Sequence, residues 1–96
     1  MKPAVVRTFV DPERAERLRL GIERRLAGLS VAEREAGLPI TTLAEHFPVK
    51  SVASCYRLAS EGAVKTMRLP SGRLCVSRYE IARALSEAEE RGRDNG

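Results

Sequence analysis

Residues 40–85, ITTLAEHFPVKSVASCYRLASEGAVKTMRLPSGRLCVSRYEIARAL, decide the fold that we expect for this chain. Their pattern predicts two short helices, a two-stranded ribbon and a third helix. The chain of 96 residues holds 17 positive and 13 negative side chains, and six of the positive ones lie between Lys50 and Arg78 beside a single acid, Glu61. The net charge of +4 is therefore local, which favours an anionic partner at this segment.

Two short helices are expected at the start of this segment. Thr41 or Thr42 is expected to cap the first helix, which must end before Pro48 because proline cannot continue it. Ser51 is a good N-cap for the second helix, and Gly62 supplies the left-handed residue that ends it. Apolar residues on both helices can face each other, so the sequence predicts a helix-turn-helix.

A hairpin and a last helix follow. Residues 63–69 alternate between apolar and polar side chains, residues 70–72 (Pro-Ser-Gly) form a turn, and residues 73–76 form the return strand. Ser77 and Glu80 have the spacing of a capping box, which predicts the start of a helix there. That helix carries an apolar stripe of Ile81, Ala84, Leu85 and Ala88.

The N-terminal part predicts one longer amphipathic helix. Residues 1–10 are rich in β-branched side chains and suit either a strand at the edge of the ribbon or a flexible arm. Asp11 and Pro12 mark a helix start, and the helix is expected to run to about Gly28. Its apolar stripe consists of Ala15, Leu18, Ile22, Leu26 and Leu29. This stripe suits packing on the core of the same chain or dimerisation.

Helix caps and helix-breaking residues divide the chain into three parts. A capping box of Ser30 and Glu33 opens a short helix, and residues 30–39 are expected to act as a hinge. We therefore expect an arm and helix at 1–38, a helix-turn-helix domain with a hairpin at 39–88, and a frayed polar tail at 89–96.

Several classes of protein are disfavoured by composition. Cys55 and Cys75 lie in apolar patterns and are expected to be reduced and buried, and the lone His46 cannot complete a metal site. We therefore expect no metal and no cofactor. Neither a nucleophile–base set nor a phosphate-binding glycine loop is present, so an enzyme is not expected. No signal peptide or membrane span is recognisable, which predicts a cytoplasmic protein of a bacterium or phage with no membrane partner.

Residues 40–86 resemble a known family, the excisionase-type winged helix-turn-helix, a relative of the DNA-binding domain of MerR regulators. The residues that carry the resemblance are Ile40, Thr41, Thr42, Ala44, Glu45, Ser51, Cys55, Tyr56, Arg57, Leu58, Glu61, Gly62, Arg68, Leu69, Gly72, Arg73, Val76, Glu80, Ile81 and Leu85. It implies a mainly helical fold with a small β-hairpin as the wing, preceded here by the amphipathic helix. The turn at residues 48–51 is one residue longer than is usual in that family.

The second helix and the wing are the expected DNA contacts. Arg57 is the first choice for a base or phosphate contact, and the methyl groups of Val52 and Ala53 can meet thymine methyls in the major groove. The wing is expected to lie along the DNA backbone or in the minor groove. The full set of expected DNA-binding residues is Lys50, Ser51, Val52, Ala53, Ser54, Arg57, Lys65, Arg68, Ser71, Gly72, Arg73 and Arg78.

These features predict sequence-specific binding of double-stranded DNA. The first interpretation is an excisionase, or recombination directionality factor, that assists a tyrosine or serine integrase and also regulates transcription. The alternative is a dimeric transcriptional regulator of a phage, plasmid or other mobile element. A phage terminase small subunit and an interaction module that binds no DNA rank lower. Single modules bury little DNA, so self-association as a dimer or as an array on DNA is expected.

Overall fold

The computed structural model describes residues 11–95, with side chains up to residue 92. It is mainly helical with a small three-stranded antiparallel sheet, the arrangement of a small α+β domain. Its elements are α1 (Pro12–Leu26), α2 (Val31–Glu35), β1 (Gly37–Pro39), a 3₁₀ helix (Ile40–Glu45), α3 (Val52–Ser60), β2 (Met67–Arg68), β3 (Leu74–Ser77) and α4 (Arg78–Asn95). The expectations for residues 1–10 lie outside the described part of the chain.

The sheet has a third strand that the sequence does not predict. Its order is β1-β3-β2, and β1 pairs antiparallel with β3, with Leu38 opposite Val76. The glycine and proline of residues 37–39 favour a hinge when only the sequence is considered. In the structure Gly37 allows a close approach to β3, since a Cβ there would lie 2.7 Å from Sγ of Cys75. Pro39 is tolerated because β1 is an edge strand.

The first helix of the predicted pair is a 3₁₀ helix, and the prediction of a threonine cap is wrong. Pro39 occupies the N-cap position and makes no side-chain capping hydrogen bond. Ile40 and Leu43 are both buried in the core. In a 3₁₀ helix residues three apart lie above one another, so this spacing places both side chains on the same face.

The second helix begins and ends as predicted. The Ser51 hydroxyl accepts a hydrogen bond from the Ser54 amide at 3.0 Å, which is an N-cap. Gly62 has φ of 81°, and its amide donates to the Ala59 carbonyl at 3.1 Å. The Ala63 amide donates to the Leu58 carbonyl at 3.1 Å, which completes a Schellman motif.

The predicted strand at residues 63–69 is much shorter in the structure. Only Met67 and Arg68 form β2, with Met67 opposite Cys75 of β3. Val64 is 2% exposed and belongs to the core, so the segment before β2 turns inward instead of following β3. Burial of this one side chain therefore overrides the alternating pattern.

Two hydrophobic clusters form the core. The larger one lies between the sheet, the 3₁₀ helix, α3 and the first turns of α4, and it contains Ile40, Leu43, Cys55, Val64, Val76, Ile81 and Ala84. The smaller one joins α1 to α4 through Ile22, Leu26 and Ala82. The apolar stripe of α1 thus packs on the same chain, one of the two alternatives that its sequence leaves open.

The expected frayed tail is wrong for residues 89–95. Helix α4 continues to Asn95, and Glu90 is 3% exposed where α4 packs against α1. Its carboxylate accepts from Nε of Arg17 at 2.9 Å. The polar composition of this segment reflects a helix held by ion pairs, which a search for apolar periodicity does not detect.

Cys55 and Cys75 are free and buried, as predicted. Among the described residues no group of His, Cys, Asp and Glu is arranged to hold a metal ion. Within the same part of the chain, no helix combines the length and the apolar character that a bilayer crossing needs.

Candidate nucleic-acid interface

One face of α3 is open to solvent. Val52 and Tyr56 lie one turn apart and are 57% and 43% exposed, and Ala53 and Arg57 lie beside them. The opposite face carries Cys55, which is fully buried in the larger cluster. Contacts to that cluster therefore fix the orientation of α3. The face with Val52, Tyr56 and Arg57 is left open to a partner.

The two serines at the start of α3 hold its cap. The Ser51 hydroxyl accepts from the Ser54 amide and donates to the Ser54 hydroxyl at 2.9 Å. Ser51 is therefore engaged within the chain, while Lys50 before it is exposed and has no such bond in the described structure. These hydrogen bonds favour a structural role for both serines over base recognition.

The tip of the β2–β3 hairpin is closed by its own hydrogen bonds. The Leu69 amide donates to the Arg73 carbonyl at 2.9 Å, and Gly72 has φ of 90°, as its turn position requires. Nη1 of Arg68 donates to the Gly72 carbonyl at 2.7 Å. The Ser71 hydroxyl accepts from the Arg73 amide at 3.4 Å. Arg68 therefore supports the turn as well as adding charge.

Helix α3 and the hairpin enclose a shallow groove of about 560 Å³. Arg57 of α3 and Arg68 of the hairpin both line this groove. The sequence analysis expects both residues to contact DNA. Its other lining residues are Tyr56, Ala59, Ser60, Thr66 and Leu74. Thr66 and Leu74 are not among the predicted site residues. The strand register would have indicated Leu74, because it lies opposite Arg68 on the same face of the hairpin.

The base of the hairpin is tied to α4 by Glu80. Its buried carboxylate accepts from the Lys65 amide at 2.9 Å and from Nε of Arg83 at 2.9 Å. Burial raises the pKa of Glu80, but the hydrogen bonds from Arg83 and Lys65 outweigh it and hold the pKa below its ordinary value. The Glu80 amide donates to the Ser77 hydroxyl at 3.1 Å, so half of the predicted capping box is present. The other half is replaced by this link to the hairpin.

Ion pairs distinguish two groups of basic residues in the described part of the chain. Six arginines of α1, α2 and α4 each lie within 4.0 Å of a carboxylate, and they are Arg17, Arg19, Arg24, Arg25, Arg34 and Arg83. In the described part of the chain no such ion pair involves the basic residues of 50–78, which are Lys50, Arg57, Lys65, Arg68, Arg73 and Arg78. The second group therefore presents its charge to solvent.

Arg78 does not share the groove of Arg57 and Arg68. It lines a different groove together with His46 and the end of α1. The Ser30 amide and hydroxyl hold the pKa of Glu33 below its ordinary value, and the positive charge of Arg78 acts in the same direction. Arg78 therefore belongs to the α1–α4 side of the molecule, although the sequence analysis lists it among the expected DNA contacts.

Comparisons with models of protein families, with curated proteins and with solved structures found no match to this chain. The resemblance to the excisionase-type family therefore depends on the residues quoted for it. The function has to be argued from the geometry and charge of the surface described above.

Proposed function

We propose that this protein binds double-stranded DNA in a sequence-specific manner through a winged helix-turn-helix. In this proposal the 3₁₀ helix, the turn at residues 46–51 and α3 are the helix-turn-helix, and the β2–β3 hairpin is the wing. The observation that carries it is the charge distribution. The basic residues of α3 and the hairpin have no carboxylate partner among the described residues, whereas six arginines elsewhere do.

Helix α3 supplies the base contacts in this proposal. Val52 and Tyr56 are exposed on one face of this helix, which leaves that face free to enter the major groove. In this proposal Arg57 forms two hydrogen bonds to a guanine or one to a phosphate. Val52 and Ala53 offer methyl groups to thymine. Lys50 precedes the helix and reaches the backbone.

The hairpin supplies contacts to the DNA backbone. Lys65, Arg68 and Arg73 are exposed along it, and Gly72 adopts a positive φ in the turn at its tip. Each lysine or arginine that neutralises a phosphate releases condensed counterion, so the logarithm of affinity falls with the logarithm of salt concentration by about 0.9 per contact. Binding through this surface is therefore strongly dependent on salt.

The biological role that we propose is that of an excisionase, a recombination directionality factor that also regulates transcription. One module of this size buries about 600–1,000 Å² on DNA, which calls for adjacent copies or a protein partner such as an integrase. A dimeric regulator would be expected to dimerise through α1. The packing of Ile22 and Leu26 on α4 uses the stripe that such a dimer needs, and this favours the first role.

The proposal is tested first by gel-shift titration on the DNA upstream of the protein's own gene and on random duplex, at two salt concentrations. We expect a ladder of discrete, salt-sensitive complexes on the upstream DNA alone. A single complex would support a dimeric regulator instead. Absence of binding to both duplexes at low salt would exclude DNA binding and favour an interaction module.

Three variants then separate the two contact surfaces. Arg57→Ala is expected to reduce or abolish the preference for the upstream DNA, because α3 makes the base contacts. Arg73→Ala is expected to weaken binding about equally on both duplexes, because the wing contacts phosphates. Arg19→Ala is the control, since Arg19 is exposed but paired with Glu16 at 2.6 Å. If Arg57→Ala and Arg73→Ala both behave like this control, the assignment of α3 and the wing is wrong.

A further inference from the structure

A second groove of about 310 Å³ lies between the end of α1 and the first half of α4. It opens where the two hydrophobic clusters meet. Leu26 and Leu29 on one wall belong to the smaller cluster or pack against it. Ile81 and Leu85 on the other wall belong to the larger cluster or pack against it. The floor is therefore apolar and continuous with both clusters, and its volume lies at the lower end of the range for binding pockets.

The rim of this groove is basic. Arg25, His46 and Arg78 line it, and none of the described residues that line it is Asp or Glu. Arg25 is held in place by the Ser86 hydroxyl at 3.0 Å. Two acids lie beside the rim but do not line the groove. Glu89 pairs with Arg25 at 3.3 Å, and the positive charge of Arg78 helps to lower the pKa of Glu33. Arg78 itself has no carboxylate within 4.0 Å among the described residues, so it is the rim charge that remains open to a partner.

We infer that this groove docks an acidic peptide segment of a protein partner, with one bulky apolar side chain as its anchor. The anchor packs on Leu29 and Leu85, the partly exposed leucines of the two walls, and removes their apolar surface from water. Leu26 and Ile81 beneath them are already buried. Carboxylates beside the anchor complement the charge of Arg78 and can accept a hydrogen bond from an imidazole N–H of His46. A DNA phosphate would gain nothing from the leucines of the floor, so the groove is distinct from the surface of α3 and the hairpin.

The chain's own first ten residues do not fit this description. They contain Lys2 and Arg7 and no carboxylate, so their charge has the same sign as the rim. The required occupant is therefore a different segment, rich in Asp or Glu. The inference does not rest on DNA binding, and it assigns Arg78 to a protein-binding surface.

The test begins with selection of a phage-displayed library of random 12-residue peptides on the full-length protein. We expect enrichment of sequences in which Asp or Glu flank a Leu, Ile, Phe or Met. The consensus peptide, labelled with fluorescein, is then titrated by anisotropy against wild-type protein and two charge reversals, Arg78→Glu and Arg24→Glu. Arg24 is the matched control, because its side chain is 69% exposed and it does not line the groove.

Arg78→Glu is expected to weaken peptide binding by at least about tenfold, whereas Arg24→Glu leaves it within about twofold. Leu29→Ala is expected to weaken binding as well, whereas Leu20→Ala is not, since Leu20 is exposed on the opposite side of α1. Circular dichroism of each variant checks folding. All four variants are also titrated with DNA. Arg78→Glu is expected to lose no more affinity for DNA than Arg24→Glu does.

Three results would overturn the inference. The first is a selection without enrichment of acidic and apolar residues, and the second is an equal effect of the two charge reversals on the peptide. The third is self-association by sedimentation that Arg78→Glu alone abolishes, because a second copy of the chain would then occupy the groove. A failure of DNA binding by the wild-type protein would overturn the proposed function but not this inference.

Discussion

The α1–α4 side of the molecule and the α3–hairpin side are both rich in arginine, but they use it differently. On the first side arginines pair with glutamates, as Arg17 does with the buried Glu90. On the second side Arg57 and Arg73 are exposed and have no carboxylate within 4.0 Å in the described structure. The first set contributes to the cohesion of the fold, and the second set is available to a partner.

This difference shows that the number of basic residues does not by itself indicate where a surface carries unbalanced charge. On α1 and α4 both signs are present and the arginines pair with glutamates. Within the described part of the chain, the basic residues of α3 and the hairpin have no ion pair. Removal of a side chain should therefore change stability on one side of the molecule and affinity on the other.

Leu26→Ala is the sharpest test of the packing on the α1–α4 side. Leu26 is 1% exposed between α1 and α4, and its truncation should cost about 2–5 kcal/mol of unfolding free energy. Leu20→Ala on the same helix is the control, because Leu20 is 48% exposed and its truncation should cost less than about 0.5 kcal/mol. Urea unfolding measures both. Equal midpoints for the two variants would mean that α1 does not pack on α4 in solution.

Glu80→Gln tests the link between the two sides. The loss of charged hydrogen bonds to Arg83 and Lys65 should cost about 1–3 kcal/mol at pH 7. Because the pKa of Glu80 is lowered in the folded protein, its stabilisation is present above its ordinary value of 4.5 and is lost as the pH falls below it. The difference between Glu80→Gln and wild type should therefore shrink as the pH falls below 4.5.

Urea unfolding at a series of pH values measures this difference. Glu45→Gln is the control, since Glu45 is exposed at the end of the 3₁₀ helix and should change little at any pH. A difference for Glu80→Gln that stays constant through acid would show that its effect is one of packing, independent of charge.

Salt dependence separates the two sets of arginines directly. The double variant Arg57→Ala, Arg73→Ala should bind DNA with a log–log salt slope that is shallower by about 1.8, because each arginine that neutralises a phosphate contributes about 0.9. The matched double variant Arg19→Ala, Arg24→Ala removes the same charge from paired positions and should leave the slope unchanged. Anisotropy titrations from about 50 to 200 mM salt measure both slopes. Equal slopes for the two double variants would mean that Arg57 and Arg73 contact phosphates no more than the paired arginines do.

The smallest effect is expected at the start of α3. Ser51→Ala removes the N-cap and should cost about 1 kcal/mol, whereas Ser51→Thr keeps a hydroxyl acceptor and should cost less. Because the Ser51 hydroxyl is hydrogen-bonded to Ser54, we expect both substitutions to change DNA affinity only through the stability of α3. The preference for the upstream DNA over random duplex should stay the same. Unfolding curves and gel shifts on both duplexes measure this. A change in preferred sequence with Ser51→Thr would instead make Ser51 a base contact.

Local signals predict the parts of the fold that depend on neighbouring residues. The Asp11 and Ser51 caps, the Ser30–Glu33 capping box and the left-handed Gly62 are all present. Each is set by a few residues that hydrogen-bond to their own backbone, so each can be recognised without the rest of the chain.

The errors arise where distant packing decides the conformation. Strand β1 pairs with β3, which lies so far away in sequence that a local pattern cannot reveal the pairing. Gly37 permits it because a Cβ at this position would meet the Cys75 side chain. The 3₁₀ helix follows from burial of Ile40 and Leu43, and the helical tail follows from Arg17 and Glu90.

For the candidate site, the charge cluster of residues 50–78 is visible in the sequence. The groove that unites Arg57 with Arg68 depends on tertiary structure, and so does the separate position of Arg78. Sequence therefore indicates which residues carry the unpaired charge, but it does not indicate which of them share a surface.

The two buried thiols give the protein built-in reporters of local opening. Cys55 is on the fully buried face of α3, and Cys75 is 1% exposed on β3, the central strand of the sheet. An alkylating reagent can reach either sulfur only through a transient opening of the element above it, so the two modification rates compare the opening of α3 with that of the sheet. Mass spectrometry of the alkylated chain can follow both rates without any engineered label.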